Sequence, residues 1–167
     1  SGVIQWQYYR EICISELPTA YDYIRLGHPL SSVLEWAIAN LNGLTPEEVI
    51  SFSSQTVPVL AILRHNLLHN KKTQIIYTGD LPTSFDAELI KRVYGYDFEL
   101  IKTDNVTAIL KFEGSTIFIS HQDHISTVED NVNIDFQIQL YDKLGSILIV
   151  NGNDNDHYIS DIQHVRR

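Results

Sequence analysis

The chain has 167 residues, a net charge of −9 and one cysteine. A chain of this length buries roughly 70 % of its unfolded surface and needs no disulfide or metal to fold. Hydrophobic residues make up 44 % and charged residues 20 %, which is typical of a globular domain and not of a disordered chain. The acidic balance disfavours binding to nucleic acid. No apolar run approaches the ~20 residues of a membrane span, so we expect no membrane partner.

The first half of the chain is predicted to be mainly helical. Pro29 precedes and Gly43 follows an apolar series at helical spacing over residues 30–41. A second helix is predicted over 55–67, and Ser53-Ser54 are its candidate capping residues. We assign residues 1–54 to a helical extension.

The second half alternates between strands and helices. Capping and acidic residues open a predicted helix over 86–94, and Gly95 ends it. Strands are predicted at 74–78, 98–101, 108–112, 116–120, 134–140 and 147–150, and a short helix over 156–165 closes the chain. This alternation predicts an α/β core over residues 55–167, a three-layer fold with a mostly parallel sheet flanked by helices.

Motifs for nucleotide binding and nucleophilic catalysis are missing from the sequence. The predicted strand at 74–78 is followed by Gly79 and Asp80, so that one glycine and an acid stand where a phosphate would lie. Ser53-Ser54 lack the glycines of a nucleophile elbow. Cys13 lies between two isoleucines and is interpreted as a small core residue.

Two histidines after a predicted strand offer a metal-binding alternative. His121, Asp123 and His124 carry donors that suit zinc or iron. Further candidate ligands follow another strand at Asp154, Asp156 and His157. A turn does not place His121 and His124 on one face as a helical pair would be placed, so a polar loop is the favoured interpretation.

Aromatic residues are concentrated in the first forty positions. About half of them are expected to pack the helical extension onto the sheet, but aromatic side chains also anchor protein interfaces. Because no catalytic motif accompanies them, the pattern favours a protein-interaction domain that is not an enzyme. The predicted partner-binding residues are Trp6, Tyr8, Tyr9, Tyr21, Tyr23 and Trp36.

The order of segments resembles the C-terminal lobe of helicase-like remodelling ATPases. The helix at 57–68, the strand at 74–77 and the helix at 86–94 match the opening of that lobe. In the lobe, an arginine-bearing helix follows the strand that corresponds to residues 133–142. Only residues 143–146 separate this strand from the next, so the resemblance implies a lobe without catalytic activity.

Three short segments resemble the fungal histone-deacetylase complex subunit 2/3 family. They are His28-Pro29 before a helix, the segment Ile134–Asp142, and Leu148–Asn151 with the later Asp156-His157-Tyr158. The resemblance implies a nuclear, non-catalytic subunit that binds no cofactor and no metal and acts in chromatin silencing. A telomere-associated branch of the family implies a short segment of a shelterin bridge protein, or a deacetylase-complex subunit, as the partner.

A second resemblance points to an enzyme. The pattern Tyr23-x-Arg25-x-Gly27-His28-Pro29, with Leu34-Glu35 and Phe52-Ser53-Ser54, resembles the front part of pyridoxal-phosphate enzymes of cysteine and methionine metabolism. The lysine that forms the Schiff base with the cofactor would then lie beyond residue 167. A fragment of a pyridoxal-phosphate-type or metal-dependent enzyme is therefore the alternative hypothesis.

Overall fold

Helices and strands alternate along most of the chain. The computed structural model describes residues 29–105, 109–121, 133–151, 158–159 and 161–162. The helices are α1 (Pro29–Leu41), α2 (Val57–Leu68) and α3 (Ala87–Tyr94), with a 3-10 helix at Pro46–Glu48. The strands are β1 (Val49–Phe52), β2 (Thr73–Tyr77), β3 (Phe98–Lys102), β4 (Ser115–His121), β5 (Phe136–Tyr141) and β6 (Gly145–Val150). Tyr158, Ile159, Asp161 and Ile162 are also helical.

The ends of α3 follow from its flanking residues. Asp86 precedes the helix, and its Oδ1 accepts a hydrogen bond of 2.9 Å from the Leu89 amide. Gly95 ends the helix with a φ of 70°, a conformation that costs glycine little. The Gly95 amide donates to the Lys91 carbonyl. Both predicted helix signals are therefore confirmed.

Six strands form one mixed sheet in the order β1-β6-β5-β4-β2-β3. β2 pairs in parallel with β3 and β4, and β4 pairs in parallel with β5. β6 is antiparallel to both of its neighbours, β5 and β1. The α/β fold with a mostly parallel sheet and flanking helices is therefore confirmed.

One face of the sheet, which we call the α2 face, carries the main apolar core. Alternate residues of the central strands point to it, including Ile117 and Ile119 of β4 and Ile138 of β5. α2 covers this face, and Ile90 of α3 joins the same cluster. The buried residues Tyr158 and Ile162 place the C-terminal helical residues there too. Burial of so many aliphatic side chains is the main stabilising contribution to this layer.

The opposite face, the α1 face, is more polar. Ile38 and Ala39 of α1 pack against Val49, Ile147 and Ile149 in a small apolar cluster. Between this cluster and the edge strand β3 lies a row of buried polar side chains. Its members, placed on one face by the strand register, are Gln74, Thr116, Ser120, Gln137 and Gln139.

Two sequence predictions about strands are wrong. The strand predicted at 108–112 is absent from the described residues 109–112, because Ile109 packs onto Phe118 instead of entering the sheet. β1 was not predicted, since its four residues directly follow the 3-10 helix and show no alternation. β1 falls within the predicted helical extension 1–54, yet it forms one edge of the sheet.

No described helix has the length and apolar character needed to cross a membrane.

Candidate functional site

The carboxyl ends of five strands share one edge of the sheet, which we call the carboxyl edge. β1 to β5 all run in the same direction, so their last residues, which include Phe52, Tyr77 and His121, all lie at this edge. The chain goes from β2 outward to β3 and then returns to β4 on the other side of β2. Ligands of open α/β sheets bind outside such a reversal point, so the carboxyl edge is the candidate site.

The turn between β1 and α2 places hydroxyl groups at this edge. Ser54 Oγ accepts hydrogen bonds from the amides of Thr56, at 3.2 Å, and Val57, at 3.3 Å. These are two of the amides that the first turn of α2 leaves without helical partners. The helix starts two residues later than predicted, so Thr56 is its N-cap residue, and Ser54 binds these two amides from the preceding turn. The Gln55 side chain donates to the carbonyl of Tyr141, which fastens the turn to the end of β5.

A second loop adds another hydroxyl to the first turn of α2. Ser84 lies between β2 and α3, and its Oγ is 2.8 Å from Thr56 Oγ1. We refer to Ser54, Thr56 and Ser84 as the hydroxyl cluster. The positive end of the α2 dipole lies beside them. Hydroxyl donors at the start of a twelve-residue helix are suited to holding an anion.

The loop after β2 carries an acidic residue, Asp80, three positions beyond the end of that strand. Asp80 Oδ1 accepts a hydrogen bond of 3.2 Å from Lys102 Nζ. The two side chains are 98 % and 52 % exposed, so this ion pair contributes little to stability. The Lys102 ammonium also lies over the Tyr77 ring, 5.9 Å from its centroid. The negative charge of Asp80 is thus offset by a neighbouring cation.

His121 closes part of the gap between the ends of β2 and β4. Its Nε2 lies 3.0 Å from the Asp80 carbonyl, to which it donates a hydrogen bond. The Thr78 amide donates to the carbonyl of Ile119 at the same place. The loop after β2 is therefore tied to the end of β4.

The phenol of Tyr141 stands at the same edge on the α1 face. It packs against the cluster around Ile38 and Ile149. Burial raises the pKa of Tyr141 above its usual range, because the phenolate loses hydration. The group is neutral near pH 7 and brings no charge to the edge.

The structure describes few of the sequence-predicted site residues. Trp36 lies on α1 and is 43 % exposed. The other predicted partner-binding residues, Trp6, Tyr8, Tyr9, Tyr21 and Tyr23, lie outside the described residues. Partner binding by these aromatics stays a prediction.

The predicted metal ligands are likewise mostly outside the described residues. His121 is described, whereas Asp123, His124, Asp154, Asp156 and His157 are not. Among the described residues, no three acidic, histidine or cysteine side chains are grouped as a metal site.

The sequence did not predict that the hydroxyl groups of Thr56 and Ser84 would lie within hydrogen-bond distance of each other. Ser54 and Ser84 each stand before a predicted helix and were interpreted as caps. Their proximity follows only from the topology, since 28 residues separate Thr56 from Ser84. The pattern Phe52-Ser53-Ser54 was the one available signal, and the structure places it at the carboxyl end of β1.

Comparison with solved structures finds proteins that share the fold. A protein from Listeria monocytogenes described as an L-allo-threonine aldolase superposes with a TM-score of 0.55 at 13 % sequence identity. The match covers 86 % of this chain and 53 % of the Listeria protein. metB from Corynebacterium glutamicum gives a TM-score of 0.55 at 18 % identity, over 90 % of this chain and 49 % of that protein.

The chain shares its α/β fold with part of each of these two proteins. The chain spans about half the length of the structures it matches. No protein-family model matches the sequence. No curated protein matches it either.

These matches correct the leading sequence interpretation. The resemblances to a helicase C-terminal lobe and to the histone-deacetylase complex subunit family are wrong, because the solved structures that share the fold are neither helicase lobes nor deacetylase-complex subunits. The predicted telomere, shelterin and silencing roles depended on these resemblances and are wrong as well. The prediction that the chain is not an enzyme is also contradicted, since one of the proteins that share the fold is described as an aldolase. Alternating strands and helices are common to both fold classes, and the quoted motifs were too short to separate them.

The pyridoxal-phosphate alternative is the interpretation that agrees with the fold. The predicted nuclear location and peptide partner were drawn from the rejected resemblance and remain untested.

Proposed function

We propose that this chain forms part of a pyridoxal-phosphate-dependent enzyme and that the hydroxyl cluster receives the phosphate group of the cofactor. The fold supports the class, but a fold by itself does not assign an activity. The observation that carries the proposal is the position of Ser54, Thr56 and Ser84. They lie where the first turn of α2 meets the loop between β2 and α3, and β1 and β2, which precede these two segments, both end at the carboxyl edge.

The donor set fits the anionic end of the cofactor. Three neutral hydroxyls and a helix N-terminus favour a phosphate without introducing a competing acid. The amides of Thr56 and Val57 are already directed at one point, Ser54 Oγ, at distances near the long end for such bonds. A phosphate oxygen bound in place of that hydroxyl would accept hydrogen bonds from the same two amides. Pro58 contributes no amide, so the hydroxyls have to supply the remaining donors.

Other residues of the edge would orient and enclose the ligand. The hydrogen bond from Gln55 to Tyr141 holds the turn between β1 and α2 against β5. The hydrogen bond from His121 to Asp80 holds the loop after β2 against β4. When bound, pyridoxal phosphate acts as an electron sink for the reacting carbon of an amino-group substrate. The described residues hold, orient and partly enclose that group.

The first experiment compares two ligands that differ only in the phosphate. Pyridoxal phosphate and pyridoxal are titrated separately into the protein, with tryptophan fluorescence as the readout. We expect pyridoxal phosphate to bind at least about tenfold more tightly, because charge-assisted hydrogen bonds contribute about 1.5–3 kcal/mol each. Equal affinities for the two ligands would contradict the proposed phosphate site.

The second experiment removes the hydroxyls one at a time. Thr56→Val and Ser84→Ala are each expected to weaken binding of pyridoxal phosphate by about tenfold and to leave binding of pyridoxal unchanged. Ser53→Ala is the matched control, since Ser53 is exposed in the same turn and outside the cluster. Unfolding midpoints of all variants report whether the turn remains intact. A loss of equal size in the control would argue against a specific role for the cluster.

A further inference from the structure

The turn between β5 and β6 packs against the turn that carries Ser54. β6 runs antiparallel to β1, and the paired residues extend from Val49 with Ile149 to Phe52 with Ser146. The start of β6 therefore lies beside the end of β1, at the carboxyl edge. The β5–β6 turn contributes no residue to the hydroxyl cluster, but it contacts the backbone that supports the cluster.

Two side-chain hydrogen bonds join the two turns. Ser146 Oγ donates to the carbonyl of Ser54 at 2.6 Å, and Gln55 Nε2 donates to the carbonyl of Tyr141 at 2.9 Å. Because Ser54 and Gln55 are consecutive, both bonds act on one short piece of backbone. Ser146 is 3 % exposed, so water cannot readily replace its hydroxyl as the donor to this carbonyl.

Gly145 allows the two turns to approach this closely. A Cβ at this position would clash with the Phe52 carbonyl oxygen and would lie 2.9 Å from backbone atoms of Ser53. Its φ of 103° also lies in the region that favours glycine. Lys143 has a φ of 63°, which residues other than glycine adopt rarely. Such conformations persist only where surrounding contacts fix them, so the β5–β6 turn is a rigid support.

The supported backbone orients the donors at the start of α2. The amides of Thr56 and Val57 both point at Ser54 Oγ, and they do so only while the backbone of Ser54 stays in place. An anion site that has to reorganise before binding loses affinity in proportion to the fraction of molecules in the competent arrangement. A contact that fixes Ser54 therefore strengthens anion binding without touching the anion.

We propose that Ser146 is a positioning residue for the anion site at the start of α2. Its hydroxyl holds the Ser54 carbonyl and thereby keeps the amides of Thr56 and Val57 directed at the place where a phosphate binds. Ser146 acts through Ser54 and not by contact with the phosphate, although the two serines are 92 residues apart in sequence. This inference rests on the proposed function.

Ligand titration of Ser146→Ala tests the proposal. Pyridoxal phosphate and pyridoxal are titrated separately, as for the unmodified chain. We expect the dissociation constant of pyridoxal phosphate to rise about fivefold and that of pyridoxal to stay unchanged, because only the phosphate uses this turn. Ser115→Ala is the matched control, since Ser115 is fully buried at the opposite end of the sheet, at the start of β4. It is expected to change neither constant.

Amide hydrogen exchange of the ligand-free chain measures the positioning itself. Exchange at Thr56 and Val57 is followed by NMR. In Ser146→Ala we expect both amides to exchange at least about fivefold faster, whereas Ser115→Ala leaves the rates unchanged. Gln55→Ala removes the other hydrogen bond between the turns and is expected to act in the same direction. This second variant decides the question if Ser146→Ala does not fold.

The outcomes separate this inference from the proposed function. If the unmodified chain prefers pyridoxal phosphate and Ser146→Ala binds it equally well, Ser146 is not a positioning residue and the phosphate site stands. If the unmodified chain binds both ligands equally, the phosphate site is rejected together with its positioning residue. Weaker binding of pyridoxal phosphate without faster exchange at Thr56 and Val57 would also reject the positioning role. An equal loss of affinity in Ser115→Ala would show a general effect of removing a buried hydroxyl and would reject it as well.

Discussion

The two faces of the sheet are built from the same strands but differ in chemistry. In β4 and β5, Ile117, Ile119 and Ile138 point to the α2 face, whereas Ser120 and Gln139 point to the α1 face. Because side chains alternate along a strand, a shift of one residue in register would exchange the two sets. The apolar side thus specifies the register, and the polar side is buried as a consequence. The difference predicts that substitutions on the two faces will have very different effects on stability.

The largest expected effect is on the α2 face. Ile138→Ala removes a fully buried side chain from the centre of the core, and we expect the free energy of unfolding to fall by about 3 kcal/mol. Urea denaturation measures the change. Leu144→Ala, at an exposed turn, serves as the control and is expected to alter stability by less than about 0.5 kcal/mol. A loss below about 1 kcal/mol for Ile138→Ala would mean that the α2 face does not hold the main core.

The second-largest expected effect is a loss of stability when the hydrogen bonds between α1 and β1 are removed. Glu35→Ala removes the acceptor for the Ser51 amide and hydroxyl, and we expect a loss of about 2 kcal/mol. Glu35→Gln keeps an oxygen acceptor and is expected to lose less. The comparison is made by thermal and urea unfolding of both variants. If the two variants are equally stable, the hydrogen bonds to Ser51 are not the stabilising feature.

A smaller effect is expected from Ser120 on the α1 face. Within the described part of the chain its buried hydroxyl has no hydrogen-bond partner, so it brings a desolvation cost without a compensating bond. Ser120→Ala is therefore expected to leave stability unchanged or to raise it by up to about 1 kcal/mol. Denaturation of this variant beside Ile138→Ala compares the two faces directly. A clear loss of stability would reveal a partner for the Ser120 hydroxyl.

The smallest expected effect is a decrease in the free energy of unfolding at alkaline pH. Burial raises the pKa of Tyr141 in the folded state, so the unfolded chain loses the proton first as pH increases. The contribution of this residue is fully present below about pH 10 and is lost as pH rises through the folded pKa. Tyr141→Phe should therefore flatten part of the stability decline above pH 10. Tyr96→Phe is a useful companion, because burial is also the largest cause of the raised pKa of Tyr96.

Local signals in the sequence were sufficient for most helices and strands. The capping residue Asp86 and the terminating Gly95 set the bounds of α3, and both act between neighbours in the chain. Short apolar runs likewise located β2, β4 and β6 to within about two residues. Residues 109–112 show the limit of such signals. Leu110 is 81 % exposed there, and an apolar run is a strand only when another strand pairs with it.

The functional interpretation failed where it depended on long-range order. Helicase lobes and pyridoxal-phosphate enzymes share alternating strands and helices, so that alternation could not distinguish them. The antiparallel placement of β6 between β1 and β5 is invisible in the segment order. The hydrogen bond between Thr56 and Ser84 could not be predicted for the same reason, since it depends on where two separate loops meet.

The sequence by itself determined the α/β class, the ends of the helices and the apolar periodicity of the strands, because each depends on residues close together in the chain. Only the tertiary structure decided the strand order, the meeting of hydroxyls at the carboxyl edge and which side of α1 faces the sheet. The periodicity of α1 predicts a helix but not which side is covered. The side that is covered is determined by contacts of Glu35, Ile38 and Ala39 with residues of the sheet, most of which are distant in sequence.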